Sequence, residues 1–146
     1  PHPDTLRLFK EKYISLKKKF DNYKKFKFEE NVSNMSSFHE ADLMISDWSG
    51  AALEYALALQ KIVIFCDVPR KVNNPNYKDI NCEPLEISIR EKVGVVWNGI
   101  TSIEKVINLC EQITVHDLQQ LLNQHVFNCG HSDDIFLNAI EKLNFD

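Results

Sequence analysis

The sequence predicts an α/β fold with a Rossmann-like parallel sheet, and two observations support this fold class. Short apolar runs at 42–46, 62–66 and 93–97 have the length and the β-branched content of buried strands. Stretches with helical periodicity, or rich in Ala and Leu, lie between these runs. Because strands that alternate with helices are joined by crossover connections, we expect the strands to be parallel.

Local patterns predict the individual elements. Residues 4–21 favour a helix, because apolar side chains recur at three-to-four spacing and Asp4 can cap the first turn. KFKFE at 25–29 alternates in the way that a short strand does. The 67–84 stretch, punctuated by Pro and Asn, predicts a long loop, and such loops are usually functional or disordered. The remaining predicted helices are SFHEA at 37–41, 49–60, 85–92, 101–112, 114–126 and a last one, capped by Ser132 and Asp133, that ends near Leu143.

Length and composition restrict the class of protein. The 146 residues predict a single domain, 1–146, and the 44% hydrophobic and 26% charged residues are typical of a soluble protein. A net charge of −4 argues against a general nucleic-acid binder. The four cysteines show neither CxxC pairing nor metal-ligand spacing, so we expect reduced thiols in the cytoplasm, with no metal site and no cofactor.

The run KKKFDNYKKFK at 17–27 is the most basic part of the sequence. Lysines near the carboxyl end of a helix interact favourably with the helix dipole. We therefore interpret this run as a solvated helix end rather than as a binding surface, and no stretch of the sequence has the pattern of an amphipathic membrane anchor.

The stretch ISDWSGAALEYA at 45–56 carries the strongest functional signal, because it places a Ser-Gly pair between a predicted strand and a predicted helix. Ligands of open α/β sheets bind at the carboxyl ends of the strands, and amides at a helix start favour anions. Gly50 lets a phosphate approach the backbone, Ser49 adds a donor, and Glu54 can accept hydrogen bonds from a ribose. The alternative is that Ser49 is only a helix cap and Glu54 only solvated.

Several stretches together resemble a known family. PHP at 1–3, NVSNMSSFHEADLMISDWSGAALEYALALQKIVIF at 31–65 and the Pro- and Arg-bearing loop that follows are similar to the C-terminal domain of the CDP-glycerol glycerophosphotransferases. These enzymes build teichoic acids and related capsule polymers. The resemblance covers roughly residues 1–100, and GHSDDIFLNAIEKL resembles the closing helix of the family. The turn is SDWSG here, whereas the family more often has TDYSS.

The resemblance implies that this chain is the donor-binding, C-terminal half of a GT-B fold, truncated at its N-terminus. The loop after the 62–66 strand departs from the local pattern of the family, although the family places a basic residue there. The site residues that the resemblance implies are His2 as the catalytic histidine at the donor pyrophosphate, Asp47, Ser49 and Gly50 as the pyrophosphate-binding turn, Glu54 at the ribose, and Arg70 and Lys71 as phosphate contacts.

The reaction that the resemblance implies is the transfer of a polyol phosphate from a CDP-activated donor to a hydroxyl of a polymer or lipid-linked acceptor. The expected location is the cytoplasm and the inner face of the cell membrane, with peripheral membrane contact through parts of the protein outside this chain. We expect no nucleic-acid partner. Since the other half of the active site lies elsewhere, this fragment alone is expected to be inactive.

Two other functions fit the same residues. One is a GT-B glycosyltransferase or a nucleotide-sugar epimerase that uses a UDP-sugar, because such enzymes also place Ser, Gly and an acidic residue in this turn. The other is a non-catalytic Rossmann-like interaction module. The nucleotide base distinguishes the first alternative from a CDP-polyol transferase, and tight nucleotide binding argues against the second.

Overall fold

The computed structural model describes residues 7–31, 35–70, 72 and 74–143. The chain divides into two units, Pro1–Ala41 and Asp42–Asp146, each with its own internal contacts. The predicted helix cap at Asp4 lies outside the described residues.

The described residues of the first unit include the helices α1 at Lys10–Phe20 and α2 at Ser36–Glu40. The prediction of a strand at 25–29 is wrong, since these residues pair with no other strand among those described. Their aromatic side chains pack on α1 instead. The rings of Phe20 and Phe26 stack with centroids 4.6 Å apart, and Phe28 meets Tyr13 edge-on at 5.6 Å. The alternating aromatic pattern therefore supplies a small cluster rather than a sheet face.

The second unit is built on a parallel sheet, as predicted. Its strands are β1 at Leu43–Ser46, β2 at Ile62–Cys66 and β3 at Gly94–Trp97, in the order β1-β2-β3. Ile45 pairs with Ile64, which pairs with Val95. Strand β1 is an edge of this described sheet, and its Ile45 side chain is 53% exposed.

Helices cover both faces of the sheet. The helices of this unit are α3 at Gly50–Leu59, α4 at Leu85–Ser88, α5 at Arg90–Val93, α6 at Ile103–Cys110, α7 at Val115–His125 and α8 at Ser132–Glu141. Of these, α3, α5 and α6 pack on the strands. Helix α6 packs Val106 against Ile64 of the central strand. Helix α3 contacts α5 and α7, and α5 reaches the ring of Phe65, whose side chain alternates with that of Ile64. The described residues of this unit therefore form an α/β/α arrangement that is compatible with a Rossmann-like fold.

The carboxyl ends of the three strands lie at one edge of the sheet because the strands are parallel. The amide of Asp67, just after β2, donates to the carbonyl of Trp97 at the end of β3. The long segment after β2 contains one 3₁₀ turn, Tyr77–Asp79. This edge is where ligands of open α/β sheets bind.

Gly94 allows β3 to lie against β2. A Cβ at this position would lie 2.0 Å from the carbonyl oxygen of Val63 and 2.9 Å from Cε2 of Phe65. Since Val63 is its partner in the parallel ladder, neither backbone can move without breaking that ladder.

We expect Gly94→Ala to lower the free energy of unfolding by about 3 kcal/mol, because the new methyl group overlaps a backbone atom. Urea unfolding followed by circular dichroism measures this change. Gly50→Ala is the matched control, since nothing lies within 4 Å of a Cβ there, and it should change the free energy by less than about 1 kcal/mol. Equal stabilities for the two variants would contradict the close approach at Gly94.

Candidate anion-binding site

The turn between β1 and α3 consists of Asp47, Trp48 and Ser49. Ser49 has the extended backbone of an N-cap residue, with φ −131° and ψ 130°, but its side chain makes no capping hydrogen bond. Its carbonyl accepts the amide of Ala52 at 3.1 Å, which closes the first turn of α3. Ser49 therefore occupies the N-cap position of the alternative interpretation, but its side chain does not cap the helix, and its predicted contact with a ligand stays a prediction.

The start of α3 is open to a ligand. The amides of Gly50 and Ala51 belong to the first helical turn, whose N–H groups have no acceptor within a helix. Gly50 is exposed and has an empty space where a Cβ would lie. These amides and the helix dipole favour a negatively charged group.

Arg90 is the one charged side chain among the buried residues of the described part of the chain, with 5% of its surface exposed. It begins α5, directly after the fully buried Ile89, so the packing of Ile89 draws the start of α5 against the sheet. Its Nη2 donates a 2.9 Å hydrogen bond to the carbonyl of Cys66, the last residue of β2. Its Nε is buried and has no hydrogen-bond partner among the described residues.

Two aromatic rings pack against the Arg90 guanidinium. The guanidinium carbon lies 3.8 Å from the centroid of Trp48 and 4.9 Å from that of Phe65. The Trp48 indole in turn donates from Nε1 to the carbonyl of Val68 at 2.9 Å. Arg90 and Trp48 therefore connect the turn before α3, the end of β2 and the start of α5.

The charge of Arg90 is only partly compensated. Burial lowers the pKa of Arg90, and the carboxylates of Asp67 and Asp47 act in the opposite direction. Both carboxylates are exposed, and no described carboxylate forms an ion pair with this guanidinium. A buried cation without a paired anion is unfavourable, so the surroundings of Arg90 favour an anion from solution.

The structure brings three of the predicted site residues together. Asp47, Ser49 and Gly50 form one turn, and Glu54 is exposed on α3 about one turn further on. His2 and Lys71 lie outside the described residues. Their predicted contacts with the donor therefore stay predictions.

Arg70 belongs to a different feature. Its guanidinium carbon lies 4.8 Å from the centroid of Tyr77, and both side chains line an open cavity of about 550 Å³. None of the residues lining this cavity belongs to the Asp47–Gly50 turn. The structure places Arg70 at this cavity, and its predicted contact with a phosphate stays a prediction.

The sequence patterns did not identify Arg90. It stands in IREKVGVV, where a single basic residue before a strand is indistinguishable from a solvated charge. Its burial depends on Trp48 and Phe65, which come from distant parts of the chain. The nearest available signal was the position of the arginine four residues before the apolar strand β3.

The described residues include no group of three or more His, Cys, Asp or Glu side chains that could hold a metal ion. Among the same residues, no helix is long and apolar enough to cross a bilayer. The groups at the turn are the backbone amides of Gly50 and Ala51, the Ser49 hydroxyl, the Asp47 carboxylate and the Arg90 guanidinium.

Comparison of this chain with protein-family models, with curated proteins and with solved structures yields no match. The similarity to the CDP-glycerol glycerophosphotransferases rests on the sequence stretches quoted above. What the structure defines is an α/β unit with an open, cationic helix start at the carboxyl edge of its sheet.

We expect Arg90→Met to abolish anion binding without lowering the stability of the free protein. The methionine keeps the apolar contacts with Trp48 and Phe65 and removes a buried charge that lacks an ion pair. Pyrophosphate at about ten times its dissociation constant should stabilise the parent protein by about 1.4 kcal/mol, which raises the Tm by about 4 °C. The variant should show no such rise in a thermal unfolding experiment.

Arg90→Lys serves as the control for this substitution, because it keeps the charge and loses the planar stacking. It should retain part of the response to pyrophosphate. If Arg90→Met instead lowers the Tm of the free protein while its response to pyrophosphate is intact, Arg90 is a structural residue only.

Proposed function

We propose that this chain binds the diphosphate of a nucleotide-activated donor at the start of α3. The observation that carries the proposal is the buried, unpaired guanidinium of Arg90 next to a helix start that no side chain caps. An anion at this place would accept hydrogen bonds from the Gly50 and Ala51 amides and would compensate the charge of Arg90.

The fold supports a nucleotide rather than a simple anion. The turn lies at the carboxyl edge of a parallel sheet, where Rossmann-like proteins hold the phosphates of dinucleotides. Glu54 is exposed one turn along the same helix, at a position from which a carboxylate can accept hydrogen bonds from ribose hydroxyls. We further propose that this unit is part of the donor-binding half of a GT-B enzyme.

The particular donor that we propose is a CDP-activated polyol, most simply CDP-glycerol. This choice follows from the resemblance of residues 1–100 to the CDP-glycerol glycerophosphotransferases. The acceptor would be a hydroxyl of a polymer or of a lipid-linked chain, and the enzyme would act at the inner face of the cell membrane.

In the proposed reaction, the acceptor oxygen attacks the β-phosphorus of the donor. The bond between this phosphorus and the bridging oxygen breaks, CMP leaves, and a base from outside this chain takes the hydroxyl proton. Negative charge grows on the leaving phosphate, where the α3 amides, Arg90 and the predicted His2 would stabilise it. Since a carboxylate repels phosphate, we assign Asp47 the role of a counter-charge to Arg90 rather than of a direct phosphate ligand.

The experiment is a calorimetric titration of the chain with CDP-glycerol, CMP and UDP. CDP-glycerol and CMP should bind, and UDP should bind more weakly. Ser49→Ala and Glu54→Ala should each weaken binding by about tenfold, because each removes a hydrogen bond to a charged or polar group of the ligand.

The chain contains a matched pair of control positions. Ser102 occupies the N-cap of α6, also without a capping hydrogen bond, and Glu104 lies in the first turn of the same helix. Ser102→Ala and Glu104→Ala should leave the affinity unchanged. Equal losses at both helices would contradict a site at α3, and a preference for UDP would favour a UDP-sugar enzyme.

A further inference from the structure

The described residues 7–27, here called the basic segment, differ in charge from the rest of the chain. The segment has nine basic and two acidic residues, a formal net charge of +7, whereas the remaining residues sum to −11. Such a separation of charge favours contact with an anionic surface despite the acidic total.

The basic segment also exposes apolar side chains. None of the residues of α1 is buried. Phe9, which directly precedes α1, is 53% exposed, and Leu16 within α1 is 47% exposed. Leu8 and Tyr23 are 59% and 62% exposed. Solvated helix ends do not need this much exposed apolar surface, so the charge is not the only unusual property of the segment.

Lysines lie beside two aromatic rings of the segment, the exposed Phe9 and the partly buried Phe20. The Nζ of Lys12 lies 5.5 Å from the ring centroid of Phe9, and the Nζ of Lys19 lies 5.6 Å from that of Phe20. A lysine extends its methylene stem along an apolar surface and holds its ammonium in the polar layer above it. This is the arrangement that helices adopt at the interface between lipid headgroups and acyl chains.

One polar contact fixes the geometry of the segment. Glu30 accepts hydrogen bonds from the Tyr13 hydroxyl and from Nζ of Lys17, each at 2.6 Å. The carboxylate connects residues 28–30 to α1, and the aromatic cluster of Phe20, Phe26 and Phe28 adds to this connection. The lysines outside this contact are exposed.

We propose that the basic segment is a membrane-contact surface that binds an anionic bilayer, with Phe9 and Leu16 entering the headgroup region. Eight of its nine cations are lysines, which act as point charges at a diffuse anionic surface. Recognition of individual phosphates in a nucleic acid more often uses the planar fork of arginine. Entering a bilayer would bury the exposed apolar side chains and is therefore favourable, whereas binding to a polyanion would bury less of their surface.

This inference replaces the interpretation of the 17–27 run as a solvated helix end, and it places the membrane contact within this chain. It does not depend on the proposed nucleotide site, because the residues that carry it belong to the first unit. An experiment can therefore contradict the bilayer contact without contradicting the nucleotide site, and it can contradict the nucleotide site without contradicting the bilayer contact.

The test is flotation of the full chain with vesicles of phosphatidylcholine alone or with about 30% phosphatidylglycerol. The chain should float only with the anionic vesicles, and the bound fraction should fall steeply between about 50 and 500 mM NaCl. Phe9→Ser combined with Leu16→Ser should lower the partition coefficient by at least about tenfold, because both side chains then no longer enter the interface.

Charge variants distinguish an effect of the basic segment from an effect of the net charge of the whole chain. Lys18, Lys24 and Lys25 are exposed, and changing all three to Gln should lower the partition coefficient by about 100-fold. The matched control changes Lys92, Lys105 and Lys142, which are exposed in the second unit, and should lower it by less than about threefold. Both triple variants alter the net charge equally.

Three results would overturn the proposal. The first is the absence of parent binding to anionic vesicles at low salt. The second is an equal loss in the two triple variants, which would leave only the total charge as the cause. The third is tighter binding to a single-stranded oligonucleotide than to the anionic vesicles, which would make the surface a polyanion site.

Discussion

The interaction on which the candidate site depends is the packing of the Arg90 guanidinium against Trp48 and Phe65. The arginine comes from α5, the tryptophan from the turn before α3 and the phenylalanine from β2. A single side chain thus joins three segments that meet at the carboxyl edge of the sheet. Its hydrogen bond to Cys66 fixes it at the end of the central strand. The position of the turn relative to the sheet follows from this contact.

The same arginine indicates a conflict between stability and function. A planar cation over aromatic rings gains from cation–π attraction, but burial without an ion pair opposes its charge. Asp47 and Asp67 compensate only in part, since both are exposed to water, where screening weakens their effect. An apolar residue would fill the same volume at lower cost. This cost is the reason that we propose an anionic ligand beside Arg90.

The sequence predicted what depends on local pattern. The three strands of the parallel sheet and the helix after the Ser-Gly pair appear where apolar runs and helical periodicity placed them. The prediction of a strand at 25–29 was wrong, because an alternating apolar pattern does not show whether another strand is present to pair with it. The aromatic rings of this segment pack against α1 instead. Arg90 could not be recognised, because its burial comes from residues more than twenty positions away. The turn lies after β1 as predicted, whereas the roles of its residues and the assigned donor stay predictions.

The edge of β1 has a consequence for how the protein behaves at high concentration. No described strand pairs with its outer side, so its backbone presents unpaired N–H and C=O groups next to the exposed Ile45. It is short, and the residues that follow it are polar and charged, which limits the length over which a second strand can pair. Self-association through this edge would bury Ile45 and bring two Asp47–Gly50 turns into the same particle. At high protein concentration each particle would then carry two of these turns, whereas at low concentration it would carry one.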